Sequence, residues 1–112
     1  MMDKLLIVWS TAELEVAKKM VLLYSSVIIP RGYWDQAHLM IWGPSAKLLA
    51  ENEELQEMIS KIKKTGVELS CCVVCSDEYA VTEKLASMGI DMIHTGEILT
   101  NALKEDWRVI TF

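Results

Sequence analysis

The chain opens on a continuous apolar run, Leu5-Leu6-Ile7-Val8-Trp9, of mostly β-favouring residues, the pattern of a strand buried on both faces of a parallel sheet. Ser10-Thr11-Ala12-Glu13 then reads as a capping box with Ser10 at the N-cap, and apolar residues at 14, 17, 21, 24 and 28 follow at helical spacing. Pro30-Arg31-Gly32 stops this helix. A second apolar run, His38-Leu39-Met40-Ile41-Trp42, ends at Gly43-Pro44-Ser45. Pro44 suits the first turn of a short helix through Leu49, because its missing N–H would have no partner there. Asn52 caps a further helix over Glu53 to Lys64, with Leu55, Met58, Ile59 and Ile62 on one face, and Thr65-Gly66 ends it. Val67 to Val74 reads as the third strand and Ser76 to Met88 as the next helix, closed by Gly89. Ile90 to His94 makes a brief fourth strand, Gly96 to Leu103 a last helix, and Trp107 to Phe112 a terminal strand.

Five strands alternating with helices predict one α/β domain over residues 1–112, a three-layer α/β/α arrangement around a five-stranded, mainly parallel, doubly wound sheet. The pattern leaves the strand order open. No linker, low-complexity tract or long repeat interrupts it, so function is expected at the loops. In a parallel sheet the loops Ser10-Thr11, Trp42 to Ser45 and Cys72 to Ser76 gather at one edge, the C-terminal edge where such folds carry their sites.

Composition narrows the function classes. With 52% apolar and 24% charged residues the chain is globular rather than disordered, and the apolar excess points to an oligomer. A net charge of -5 repels phosphate backbones, and Lys61, Lys63 and Lys64 are interleaved with Glu54, Glu57 and Glu68, which argues against direct nucleic-acid binding. No apolar run approaches the roughly 20 residues that span a bilayer, and the start of the chain lacks a signal-peptide cleavage pattern, so a cytoplasmic protein is expected. Cys71, Cys72 and Cys75 are crowded together and cannot staple distant loops. Their role is chemistry or packing.

Cys72 stands at a strand end before a helix N-terminus, whose partial positive charge favours thiolate, the nucleophilic form. Cys72 and Cys75, three apart, can resolve each other's oxidised forms in a redox or persulfide site; equally, both can be small buried residues at a crowded junction. A zinc site is not expected, since Cys71 points to the opposite face from Cys72 and neither His38 nor His94 sits at finger spacing. No other cofactor is expected either. Gly43, Pro44 and Ser45 form either an anion site at a helix start or a plain turn, and Ser10, Thr11 and Thr95 are candidate pocket walls. His94 is either a general base or a solvent-facing strand end, and no hydrolase elbow, Walker loop or dinucleotide fingerprint is present.

Three stretches in this order carry a resemblance: Leu39-Met40-Ile41-Trp42-Gly43-Pro44-Ser45-Ala46-Lys47-Leu48-Leu49, Gly66-Val67-Glu68-Leu69-Ser70-Cys71-Cys72-Val73-Val74-Cys75, and Met88-Gly89-Ile90 followed by Thr95-Gly96-Glu97-Ile98-Leu99-Thr100. Over nearly its whole length the chain resembles the DsrE/DsrF-like family of small α/β sulfur-relay proteins, in particular its short single-domain members of unassigned role. The resemblance implies that Cys72 accepts a persulfide as thiolate and passes the sulfur to a partner's thiol, with Cys75 as resolving or supporting thiol. It also implies a homo-oligomer, trimer or hexamer, with sulfur donor and acceptor proteins as partners. One departure bears on the chemistry: family carriers follow their cysteine with a basic Arg-Arg-Gly turn, whereas this chain has Ser76-Asp77-Glu78-Tyr79-Ala80. Asp77 and Glu78 are therefore expected to oppose thiolate at Cys72. The alternative is a non-catalytic oligomeric binding or assembly module, its loop pocket holding a small anion or a peptide and its cysteines structural.

Overall fold

The structure is a computed structural model describing residues 2–112. Strands β1 (Lys4–Trp9), β2 (Gln36–Ile41), β3 (Glu68–Cys72), β4 (Asp91–Ile93) and β5 (Arg108–Thr111) form one sheet in the order β4-β3-β2-β1-β5, and every neighbouring pair is parallel. The helices are α1 (14–27), α2 (Pro44–Glu51), α3 (Glu53–Lys64), α4 (Val73–Glu78), α5 (Thr82–Ser87) and α6 (Thr95–Lys104). Three stretches run on as α1, and the middle one, Ala17–Leu22, is wound as a π-helix.

From β1 to β4 the chain steps in one direction across the sheet, then returns over the whole width to add β5 at the far edge. Crossovers between parallel strands share one hand, so this reversal sends α6 to the face that the other helices leave. Side chains divide accordingly. Leu5, Ile7, Leu39, Ile41 and Cys71 pack with Val21, Leu49, Ile59 and Leu85 from α1, α2, α3 and α5, whereas Leu6, Val8 and Met40 pack with Ala102, Ile98 and Leu99 of α6. Three layers result, with the larger core under the crowded face.

Where local structure departs from the sequence pattern, a competing hydrogen bond or turn is the cause. Ser10 is not the cap of α1: its N–H and its hydroxyl both donate to the Phe112 carbonyl, at 2.7 and 2.9 Å, because β5 ends beside β1. Glu13 caps instead, its carboxylate accepting from the Val16 N–H at 2.7 Å while Thr11 Oγ1 accepts from the Glu13 N–H. The wider π turn brings Val21 and Leu22 inward together and buries Ser25, a pattern that strict 3.6-residue spacing misses.

Strand β3 stops at Cys72, and the helix predicted from Ser76 starts three residues earlier, at Val73. That helix is also broken in two: α4 ends at Glu78, Ala80 takes a positive φ of 57°, and α5 restarts at Thr82. The Ser76 carbonyl accepts from the Val81 N–H at 2.9 Å across the break.

Candidate functional site

Cys72 leaves β3 with φ -63° and ψ 113°, the extended conformation of an N-cap, and its Sγ accepts from the Cys75 N–H at 3.4 Å. Burial pushes the Cys72 thiol up, but the neighbouring Cys75 thiol and N–H, the Thr95 hydroxyl and the Val74 N–H favour its charged form, and together they hold the pKa below the ordinary 9.0. Cys75 moves the other way. Burial raises its thiol first and the hydrogen bond with Cys72 second; the Gly43 N–H pulls it down, and the charges of Cys72 and Glu78 push it up again. The charged form is therefore favoured at Cys72 and the protonated form at Cys75. Cys71 points into the opposite core, where burial above all, and then the charges of its two neighbours, push it up to about 12.

Thr95 opens α6 on the strand next to Cys72, Ile93 being the register partner of Cys72. Its Oγ1 is buried and has no hydrogen-bond partner among the described residues. Charge on Cys72 gives this hydroxyl an acceptor, so an orphaned donor and a thiolate stabilise one another.

Gly43 completes the cluster from the β2 end. Its φ of 74° and ψ of -139° lie where essentially only glycine sits, while an added Cβ would meet nothing within 4 Å. Gly43→Ala is therefore expected to destabilise the fold by about 1–3 kcal/mol through backbone strain rather than collision. Urea denaturation checks this, and an unchanged midpoint would refute it.

The other candidates serve the frame. Ser45 is fully buried; its hydroxyl donates to the Trp9 carbonyl and, at 3.2 Å, to that of Trp42, and its N–H donates to the Ser10 carbonyl at 3.1 Å. Thr11 donates its N–H to Phe112 at 3.1 Å, and Pro44 fills the exposed first turn of α2. Ser10, Thr11 and Ser45 thus bind the first two strand-end loops to each other and to β5, while Cys72, Cys75, Gly43 and Thr95 converge. His94 is exposed, its carbonyl accepting from Glu97.

The expected repulsion at Cys72 is corrected by the geometry. Asp77 accepts from the Thr82 hydroxyl and Glu78 acts on Cys75, and the balance at Cys72 is a lowered thiol. The sequence pattern leaves Cys75 between the third strand and a helix from Ser76, whereas it lies in the first turn of α4. The spacing held the signal: N-cap and N3 are three residues apart, as in a capping box, here with a thiol as acceptor.

The sequence profile described as the DsrE/DsrF-like family matches residues 10–112. The chain belongs to the DsrE/DsrF-like family. Among solved structures, this family member is similar to a conserved protein of unknown function from Bacteroides thetaiotaomicron, at 27% identity and a TM-score of 0.94, over 98% of this chain and 95% of that one. It is also similar to the YchN protein of E. coli, at 18% identity and a TM-score of 0.74, over 99% of this chain and 100% of the other, a likeness of fold. No curated protein matches the sequence. Among the described residues of this DsrE/DsrF-like chain no helix is long and apolar enough to cross a membrane, and no three His, Cys, Asp or Glu side chains are grouped to hold a metal ion.

Proposed function

We propose that this DsrE/DsrF-like protein is a sulfur-relay carrier, with Cys72 as acceptor and Cys75 as its proton partner. The observation that carries the reading is the lowered Cys72 thiol at a strand end, ringed by donors from α4 and α6. The Cys72 thiolate attacks the outer sulfur of a persulfide R–S–SH. The donor's S–S bond breaks, R–S⁻ leaves with the electron pair, and Cys72–S–SH forms with no net oxidation. Cys75, which keeps its proton, can supply it to the departing thiolate. An acceptor thiolate then takes the outer sulfur and returns Cys72 as thiolate. With 6% of its surface exposed, Cys72 offers a small donor easier access than a protein loop. The reading includes a cytoplasmic homo-oligomer, trimer or hexamer, without a cofactor.

A second reading, a thiol redox pair, is favoured by the hydrogen bond from the Cys75 N–H to the Cys72 sulfur at 3.4 Å, which holds the two cysteines beside each other. Intact-mass analysis after treatment with a small organic persulfide separates the two. Sulfur relay predicts a reducible gain of one sulfur atom that persists in Cys75→Ser and vanishes in Cys72→Ser. Loss of two hydrogens without added sulfur, as a Cys72–Cys75 disulfide, would replace relay with the redox reading; an unchanged mass in the wild type would sink both.

A further inference from the structure

Beyond the thiol site, the fold leaves one face of one strand without a helix; the other face of β5 packs through Val109 on α6. Strand β5 is at the sheet edge and pairs with β1 alone. Between it and α1 lies a trough of about 800 Å³, none of whose lining belongs to the cysteine cluster. Its size and apolar lining are those of a small-molecule cleft.

Met20, Leu23 and Ile110 stand 52%, 53% and 41% exposed along this trough, large apolar side chains with neither a helix nor a strand over them. The charged side chains lining it are Lys19, Arg31 and Arg108, with no Asp or Glu in the lining, in a chain that has 16 acids against 11 lysines and arginines. Among the described residues none of the three has a carboxylate within ion-pair distance. Two of the three cations share one end of the trough, while Lys19 in the first half of α1 lies towards the other. Arg108 begins β5 opposite Leu5, and Arg31 follows the end of α1, which runs antiparallel to the strands and so finishes at that same edge. From there Ile110 and Phe112 lead along the strand for about 13 Å, at roughly 3.3 Å per residue.

We infer that this trough binds an amphiphilic carboxylate, a medium-length acyl anion with its head between Arg31 and Arg108 and its tail over Ile110 towards Phe112. Two guanidinium groups supply bidentate hydrogen bonds to a carboxylate, and the tail covers apolar surface that otherwise faces water. A second copy docked through the same groove would bring three further unneutralised cations into one interface, which opposes that occupant.

The test is calorimetry of the full chain with dodecanoate, dodecylamine and dodecanol below their micelle concentrations, and with phosphatidylglycerol vesicles, using Trp34 in the trough wall as fluorescent reporter. Dodecanoate is expected to saturate at one per chain, at least tenfold tighter than the amine or the alcohol. Arg31→Glu and Arg108→Glu, at exposed positions, are expected to weaken it at least tenfold with unchanged thermal melting. Equal affinity for the three head groups, or binding to vesicles alone, would overturn the assignment. So would sedimentation showing that Ile110→Asp splits an oligomer in which the wild type takes up no dodecanoate.

Discussion

Alkylation of the native protein at neutral pH is expected to spare Cys71, to reach Cys72 first and Cys75 more slowly. Between an ordinary thiol at 9.0 and one pushed up to about 12, the thiolate fraction near neutrality falls about a thousandfold, and the thiolate is the reacting species. Steric exclusion acts in the same direction, because Cys71 is fully buried in the larger core and its S–H donates to the Cys72 carbonyl at 3.7 Å. Cys75 is more open than Cys72 but keeps its proton, so ionisation and exposure compete at that pair. Ionisation is expected to win, as iodoacetamide is small and Cys72 lies at the sheet edge. Thr95→Val removes one donor to Cys72 and is expected to slow its labelling while leaving Cys71 inert. A time course of iodoacetamide labelling, read by peptide mass mapping with and without denaturant, decides the order. Native labelling of Cys71 at the rate of the other two, or of Cys75 before Cys72, would contradict it.

Most of what places this site is legible in the chain. Continuous apolar runs such as Leu5 to Trp9 belong to strands buried on both faces, and strands of that kind separated by helices are parallel, so their C-terminal loops share an edge. The pattern thereby gathers three loops at one edge, and Gly43, Cys72 and Cys75 meet there with Thr95 from after the end of β4. The strand order was not legible. Each βαβ unit reads the same whether the next strand is added to the left or to the right, and only tertiary packing fixes the return from β4 to β5 that leaves α6 alone on its face.

Boundaries failed for a different reason. Val73 and Val74 favour strands, yet the Cys72 sulfur accepts the Cys75 N–H and starts a helix beneath them; local propensity yields to a capping bond that a preference scale does not credit to cysteine. Similarly, Ser10 matches a capping box in isolation, but its hydroxyl is claimed by Phe112, 102 residues away. The charges of Asp77 and Glu78 do not leave Cys72 with a raised thiol, because distance along the sequence is not direction in space. A helix turn sends Asp77 towards Thr82 and leaves Glu78 acting on the protonated partner, where its charge reinforces the division of roles between the sulfurs.

Burial of Cys71 also makes the fold itself sensitive to alkali. The unfolded chain releases this proton at an ordinary 9.0, the folded chain only at about 12. Across that window the native state holds the extra proton, so stability falls as pH rises, by about 1.4 kcal/mol per pH unit, and the contribution is fully present below 9.0. At pH 10.5 the loss is about 2 kcal/mol, a substantial part of the roughly 5–15 kcal/mol that holds such a domain together. Lysines and tyrosines titrate in the same range, so the quantity to compare is the slope of urea-derived stability against pH in wild type and Cys71→Ala. The variant is expected to be less stable at pH 8, where it has only a cavity to carry, and to converge on the wild type as pH rises, because it has no thiol proton to lose. Parallel slopes would show that the Cys71 proton is not withheld by the fold. Convergence would tie its silence towards alkylating agents to the same buried proton, leaving Cys72 without a competing nucleophile one residue away.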